Sequence, residues 1–315
     1  MTVNAPDLAH IDVPAAQHRV SEHIRRTPVL RARLEGRDVL FKLEHLQLTG
    51  AFKIRGALNA LLAMRDRRGL PDLVVTASGG NHGLAVATAA ALLGIRAEVY
   101  VPESVPEAKA ARLESSGAAL VRVGDHYAQA AAAARDRAVA VDAPYVHAYD
   151  DPDVVSGQGT VAAEIVQDVP ECDGIAAAVG GAGLIAGITA GAPHLTITGV
   201  EPEGCQSLHA ALAAGHPVDS PVDSVASSAL GATRVGETPF AVLRSRPPRS
   251  VLVADSEIIS ARNRLWEEFR IAVEPAAAAP FAAWLAGTVP GDLPCLVMCG
   301  ANSTWTPTDP ASGTK

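Results

Sequence analysis

The sequence predicts an α/β protein built on open, mostly parallel, twisted sheets flanked by helices. Three observations carry that reading. From residue 73 to residue 200, short apolar runs of strand length alternate with longer helical stretches, the order that parallel βαβ units produce. Hydrophobic residues make up 48% of the 315 residues and charged residues 19%, which suits a packed interior and excludes a disordered chain. Aromatic residues reach only 4%, while alanine and the 27 glycines abound; small side chains favour close helix–sheet packing over an aromatic-layered sandwich.

Taken in order, residues 14–26 read as a helix stopped by Thr27-Pro28, because the residue before proline avoids the helical region. Residues 39–44 alternate like a strand. After the turn-like Thr49-Gly50, apolar residues at Ile54, Ala57, Leu58, Leu61 and Leu62 follow a helical period that Gly69-Leu70-Pro71 ends. Strand 73–76, helix 81–94, strand 97–101, helix 107–116, strand 120–123, helix 127–140 and a short strand at 145–147 come next. Helix 154–169, strand 174–179, helix 183–190 and strand 196–200 continue the alternation. Residues 215–250, with Pro217, Pro221, Pro239, Pro247 and Pro248, read as loops with short elements. Helices at 256–269 and 276–286 and a strand at 295–298 complete the pattern, and 306–315 reads as a frayed end.

Charge and cysteine usage narrow the function classes. There are 26 basic against 34 acidic residues, a net charge of −8, which disfavours nucleic acid and anionic membranes as partners. The opening MTVNAPDLAH lacks the basic-then-apolar pattern of a secretory leader. Residues 174–200 carry no Asp, Glu, Lys or Arg and are long enough to raise a membrane span, yet their glycines and Pro193 read as a buried strand and helix. Cys172, Cys205, Cys295 and Cys299 form neither a C-x-x-C pair nor a zinc spacing, so a cytoplasmic protein without a structural metal is expected.

Four turns carry chemistry. In Thr49-Gly50-Ala51-Phe52-Lys53, a lysine opens a helix, where the macrodipole disfavours its charge and a neutral amine suits Schiff-base formation; an exposed lysine on an amphipathic helix is the plain alternative. Thr76-Ala77-Ser78-Gly79-Gly80-Asn81-His82-Gly83 runs from strand to helix, placing backbone N–H groups and the Asn81 and His82 side chains where an anion could bind. Val179-Gly180-Gly181-Ala182-Gly183-Leu184 repeats the arrangement and could cradle a phosphate. It also fits a dinucleotide fingerprint, Gly181-x-Gly183-x-x-Ala186, with Glu201 closing the following strand. Cys299, in Met298-Cys299-Gly300-Ala301-Asn302, could face a ligand or be a buried free thiol.

Together these turns resemble the fold-type-II family of pyridoxal-phosphate (PLP) enzymes, specifically its serine/threonine dehydratase branch. The run from Lys42-Leu43-Glu44 to Gly56 carries most of the resemblance. Ala77–Gly83, Val101-Pro102, Ser156-Gly157-Gln158-Gly159-Thr160, Gly180–Leu184, Gly199-Val200-Glu201-Pro202 and Glu274-Pro275 follow in family order. The resemblance implies a tryptophan-synthase-β-like fold of two domains, a large one from 1–68 and 148–315 and a small mobile one from 69–147. It implies that Lys53 holds PLP as a Schiff base and acts as acid and base at the substrate α-carbon. Gly180, Gly181, Ala182, Gly183 and Leu184 would cradle the phosphate, Asn81 would bond the ring hydroxyl, and Phe52 would pack near the ring. Cys299 would face the pyridine nitrogen, and Ser78, Gly79, Asn81 and His82 would surround the substrate carboxylate. A neutral thiol at the pyridine nitrogen makes a weaker electron sink, which suits β-elimination of L-threonine or L-serine to a 2-oxo acid and ammonia. Family relatives are commonly homodimers.

Departures narrow the choice. Serine racemases of this branch carry a second serine where this chain has Gly79, so racemisation is expected to be weak or absent. Ala182 replaces a glycine of the phosphate loop, at little cost if its φ is negative. After Glu201 come Glu203, Gly204, Cys205 and Ser207 without the aspartate that a cation site uses in relatives. Other readings are elimination from another β-substituted amino acid such as hydroxyaspartate, an NAD-binding oxidoreductase using Gly181, Gly183 and Glu201, and a PLP-free binding protein.

Overall fold

Strand β6 (Gly174–Ala178) is buried at every position, as a strand covered by helices on both faces must be. It pairs parallel with β7 (Thr196–Pro202) on one side and β9 (Pro294–Val297) on the other. Beyond β9 lies β2 (Arg37–Lys42), also parallel, and then β1 (Val29–Leu34), antiparallel to β2. Beyond β7 lies the parallel β8 (Arg249–Val253). The six-stranded order is thus β1-β2-β9-β6-β7-β8, and a second sheet, β3 (Leu73–Ala77), β4 (Arg96–Val101) and β5 (Ala118–Arg122), is wholly parallel. The α/β class with parallel-rich sheets is therefore observed. This computed structural model describes residues 10–306; the expected frayed end from 307 onward lies outside them.

Helix boundaries follow local chemistry. Helix α6 (Pro152–Asp168) starts where Asp151 Oδ1 accepts from the N–H groups of Asp153 and Val154, with Pro152 in the first helical position. Helix α2 (Lys53–Arg68) ends at Gly69, whose φ is 87°. No helix among the described residues is long and apolar enough to cross a membrane. The uncharged stretch at 174–200 forms β6, α7 (Gly183–Gly191) and most of β7.

The structure corrects several expected elements. The first helix, α1, covers only Val13–Val20. The chain then turns, because the Gln47 side chain accepts from Arg25 N–H and donates to Arg25 C=O, holding that peptide outside any helix. The strand expected at 145–147 is a single bridge from Tyr145 to Val75; beyond it the N–H groups of Tyr149 and Asp150 turn onto His147 Nδ1. Strand β1 was not expected, although 29–34 alternates and Glu35-Gly36 supplies a turn with both φ positive, 52° and 77°. Within 215–250 the chain forms helices α9 (Ser227–Leu230) and α10 (Glu237–Ser245) and begins edge strand β8, and α8 (Ser207–Ala214) precedes them.

Candidate active site

Four chain reversals meet at the carboxyl ends of the parallel strands, where α/β sheets bind ligands. They follow β2, β3, β6 and β9, and enclose a cavity of about 430 Å³ lined from both sheets. Lys53 opens α2 at one wall. Its Nζ lies 2.9 Å from the Ala148 carbonyl oxygen and 5.2 Å from the Phe52 ring centroid. Burial lowers its pKa to about 8, only partly opposed by Cys299 and Glu274. Desolvation is thus the main cause of the shift.

A buried charge network holds α2 from behind. The Arg55 guanidinium is fully buried and donates to both oxygens of Glu44, at 2.7 and 2.8 Å, and both of Glu164, at 2.8 and 2.9 Å. Lys42 Nζ donates to Glu164 at 2.6 Å and to the Thr27 carbonyl at 2.8 Å, while the Thr27 hydroxyl donates to Glu44. Two cations and two carboxylates thus cancel inside the protein. They tie β2, the turn at Glu44–Leu46, α2 and α6 together two residues from Lys53.

The glycine loop faces the cavity with its N–H edge. Its carbonyls are tied back: Gly180 O accepts from Ser207 Oγ at 2.7 Å and Gly181 O from Gly236 N–H at 3.2 Å. No side chain caps α7, so its first N–H groups remain for an anion. Glycine is required at 181 because the Tyr149 ring lies only 2.3 Å from where a Cβ would stand. Ala182 has φ 69°, so the expected negative φ is not what the chain adopts; the residue sits in the left-handed region, at a cost of about 1–2 kcal/mol for an L-residue. Across the cavity, α3 (Asn81–Leu92) likewise begins without a side-chain cap, after Ser78, Gly79 and Gly80.

Cys299 lines the cavity, and burial pushes its thiol well above the usual range, so it stays neutral. Phe52 and Leu184 also line the cavity and are buried. Glycine at 79 leaves room for a Cβ only if Val105 Cγ2, at 3.2 Å, gives way slightly. His82 corrects one expectation. Its Nε2 lies 3.0 Å from the Val146 carbonyl, burial lowers its pKa to about 3, and Nδ1 has no hydrogen-bond partner among the described residues. The neutral ring therefore spends its one N–H on Val146, and any anion contact from this residue must come from its peptide N–H.

Uncapped N–H groups over a glycine cradle, an amine of lowered pKa and a neutral thiol form a donor set that fits PLP. Residues 20–300 match the family described as pyridoxal-phosphate dependent enzyme. The chain belongs to this PLP-dependent family. It is 38% identical over 281 residues to the L-threonine ammonia-lyase of Geobacter sulfurreducens, covering 87% of this chain and 70% of that one. It is 32% identical over 279 residues to the L-threo-3-hydroxyaspartate ammonia-lyase of Saccharomyces cerevisiae, covering 86% and 85%. Maize serine racemase superposes with a TM-score of 0.86 at 29% identity, over 95% of this chain and 94% of that one.

Within the PLP family, Glu201 loses the dinucleotide role. It is fully buried, with Oε1 accepting from Leu208 N–H at 2.7 Å and Oε2 from His209 N–H at 2.8 Å, so it caps α8 instead of awaiting a ribose. The cavity also has walls that the sequence did not assign. Lys109, Tyr127, Ser227, Ser228 and Glu274 line the cavity, and Asn302 borders a smaller pocket beside it. Glu274 and Asn302 stand in segments that carry the resemblance, without a role assigned; Lys109, Tyr127, Ser227 and Ser228 carry no local signal. Lys109 looks like any surface lysine of a short helix.

Proposed function

We propose that this PLP enzyme is an ammonia-lyase that removes water from L-threonine and L-serine, releasing a 2-oxo acid and ammonia. The observation that carries the reading is Lys53 Nζ, of lowered pKa, in one cavity with the neutral Cys299 thiol and the N–H edge of the glycine loop. When bound, PLP supplies the electron sink for the substrate α-carbon. Gly180, Gly181, Ala182, Gly183 and Leu184 hold its phosphate through their peptide N–H groups, and Phe52 packs against its ring. Ser78, Gly79, Asn81 and the His82 peptide N–H hold the substrate carboxylate at the start of α3. Lys53 takes the α-proton at Nζ. The β-hydroxyl leaves with a proton as water, and hydrolysis of the released enamine gives the 2-oxo acid and ammonia. Gly79 has no atom that carries a proton to the opposite face, which favours elimination over racemisation.

A second reading, hydroxyaspartate as substrate, is favoured by Lys109. This half-buried side chain lines the cavity without an ion pair or side-chain hydrogen bond among the described residues, and could meet a second carboxylate. We further infer a small domain at 69–147 carrying the three-stranded sheet, a large domain from 1–68 and 148–315, a homodimer, and a cytoplasmic location, the last supported by four free, buried thiols.

The deciding experiment is the visible spectrum of the purified protein before and after borohydride, with turnover of L-threonine, L-serine and 3-hydroxyaspartate. A yellow protein fixed by borohydride at Lys53, with ammonia released from threonine or serine, is expected. Colourless protein that PLP cannot reconstitute overturns the assignment, and release from hydroxyaspartate alone selects the second reading.

A further inference from the structure

We propose that Asn302, together with Glu274, sets the protonation state of the cofactor's ring oxygen by fixing which edge of the Asn81 amide faces the cavity. The proposal rests on the reading that Asn81 meets that oxygen.

The polarity of the contacts is decided by a group that cannot turn over. The Thr49 carbonyl oxygen can only accept, and Asn302 Nδ2 donates to it at 2.7 Å. The same nitrogen donates to Asn81 Oδ1 at 2.8 Å. Asn81 Nδ2 in turn donates to Glu274 Oε1 at 2.9 Å. Turning Asn81 over would set donor against donor at Asn302 and oxygen against carboxylate at Glu274, and turning Asn302 over would set oxygen against the Thr49 carbonyl and Asn81 Oδ1. Asn302 is brought this close by the turn before Lys53. A Cβ at Gly50, whose φ is 73°, would lie 2.7 Å from Asn302 Oδ1, and Ala301 N–H donates to the Gly50 carbonyl.

Asn81 and Glu274 line both the main cavity and the smaller pocket beside it, and Asn302 borders the smaller one. Asn302 Nδ2 already engages Asn81 Oδ1, so the edge of Asn81 with a hydrogen still to give is Nδ2. One Nδ2 hydrogen goes to Glu274 and one remains. A ring oxygen at Asn81 thus meets a donor, which favours the oxyanion over the hydroxyl. Burial raises the pKa of Glu274, against the hydrogen bonds from the Asn81 side chain and the Asn302 backbone, and its main chain is anchored because Glu274 N–H donates to the Gly300 carbonyl. Asn302 and Glu274 act through Asn81 and are positioning residues.

The test uses the PLP-loaded full chain and the variants Asn302→Asp and Asn302→Ala. The two absorption bands of the bound cofactor, which report ionised and protonated ring oxygen, are measured against pH, with cofactor content checked by mass after borohydride. Asn302→Asp sets oxygens against the Thr49 carbonyl and Asn81 Oδ1 and releases the amide. The ratio of ionised to protonated bands should fall about fivefold, the effect of losing one ordinary net hydrogen bond. Asn302→Ala, which adds no charge, should shift the ratio in the same direction and decides the matter if the aspartate variant does not fold. Variants with a full complement of cofactor and the wild-type ratio at every pH overturn the proposal while leaving the lyase reading intact. A wild-type protein that takes up no cofactor overturns both.

Discussion

Burial makes Lys53 a usable base. Its amine is half deprotonated near pH 8 rather than near 10.5, so the rate at which the apoprotein captures PLP should climb with a midpoint of about 8. A midpoint near the ordinary lysine value would mean a solvated amine. The sign for stability follows. Between those two pH values the unfolded chain holds a proton that the native chain does not, so this residue makes the apoprotein more stable as pH rises from about 8 to about 10.5. Ala182 offers a second test at this scale. Its positive φ means that Ala182→Gly removes about 1–2 kcal/mol of native strain and returns about 0.5–1 kcal/mol through the freer unfolded chain. Urea denaturation should show stability unchanged or raised by up to about 1.5 kcal/mol, with PLP still bound; a clear loss would contradict the strain. The loops around Lys53, Asn81 and Gly180 were legible because glycine, lysine and asparagine act there within a few residues. The contacts of Asn81 with Glu274 and Asn302 span 193 and 221 residues, and no local spacing encodes them.

Elements carry their own errors and their own test. Strand β1 was missed despite its alternating pattern, because its arginines resemble a solvated charged segment, and β8 was missed because Pro247-Pro248 stands just before an edge position that tolerates it. The helices around Lys53 were legible from periodicity, but not what locks α2 in place. Burial disfavours the Arg55 charge, yet Glu44 and Glu164 more than offset this and raise its pKa. Burial would raise Glu164, but Arg55 and Lys42 hold it below its ordinary value. Glu164 therefore stabilises the fold above about pH 4.5, and that contribution fades as pH falls further. Arg55→Leu strands buried carboxylates and should cost about 3–5 kcal/mol at neutral pH. The deficit should shrink at about pH 4, where protonation relieves the stranded charge. Denaturation curves at both pH values check this, and an equal deficit at both would show that packing, not charge, is what was lost.

At the scale of the whole molecule, the cavity is lined from both sheets. Its lining comes from 77–82 and 102–109 on one side and from 178–184 and Cys299 on the other, so a ligand there must stabilise both units. PLP at a hundredfold excess over its dissociation constant should add about 2.7 kcal/mol, read as a rise of several degrees in the calorimetric melting temperature. NAD should add nothing, because Glu201 is committed to α8. A rise with NAD and none with PLP would reverse the assignment. The α/β architecture was legible because each strand–helix unit announces itself locally. Which units share a sheet was not, since β9, from the end of the chain, inserts between β2 and β6.

The Tyr149 ring lying against Gly181 ties the history of two distant positions together. A chain that acquires a side chain at 181 cannot keep an aromatic ring at 149, because both would claim the same space. In lineages descended from this sequence the two sites should change as a pair, the ring shrinking before or with the loss of glycine. Random mutagenesis followed by selection for growth that depends on the enzyme forming its product would show it: survivors with any residue but glycine at 181 should carry a second change at 149.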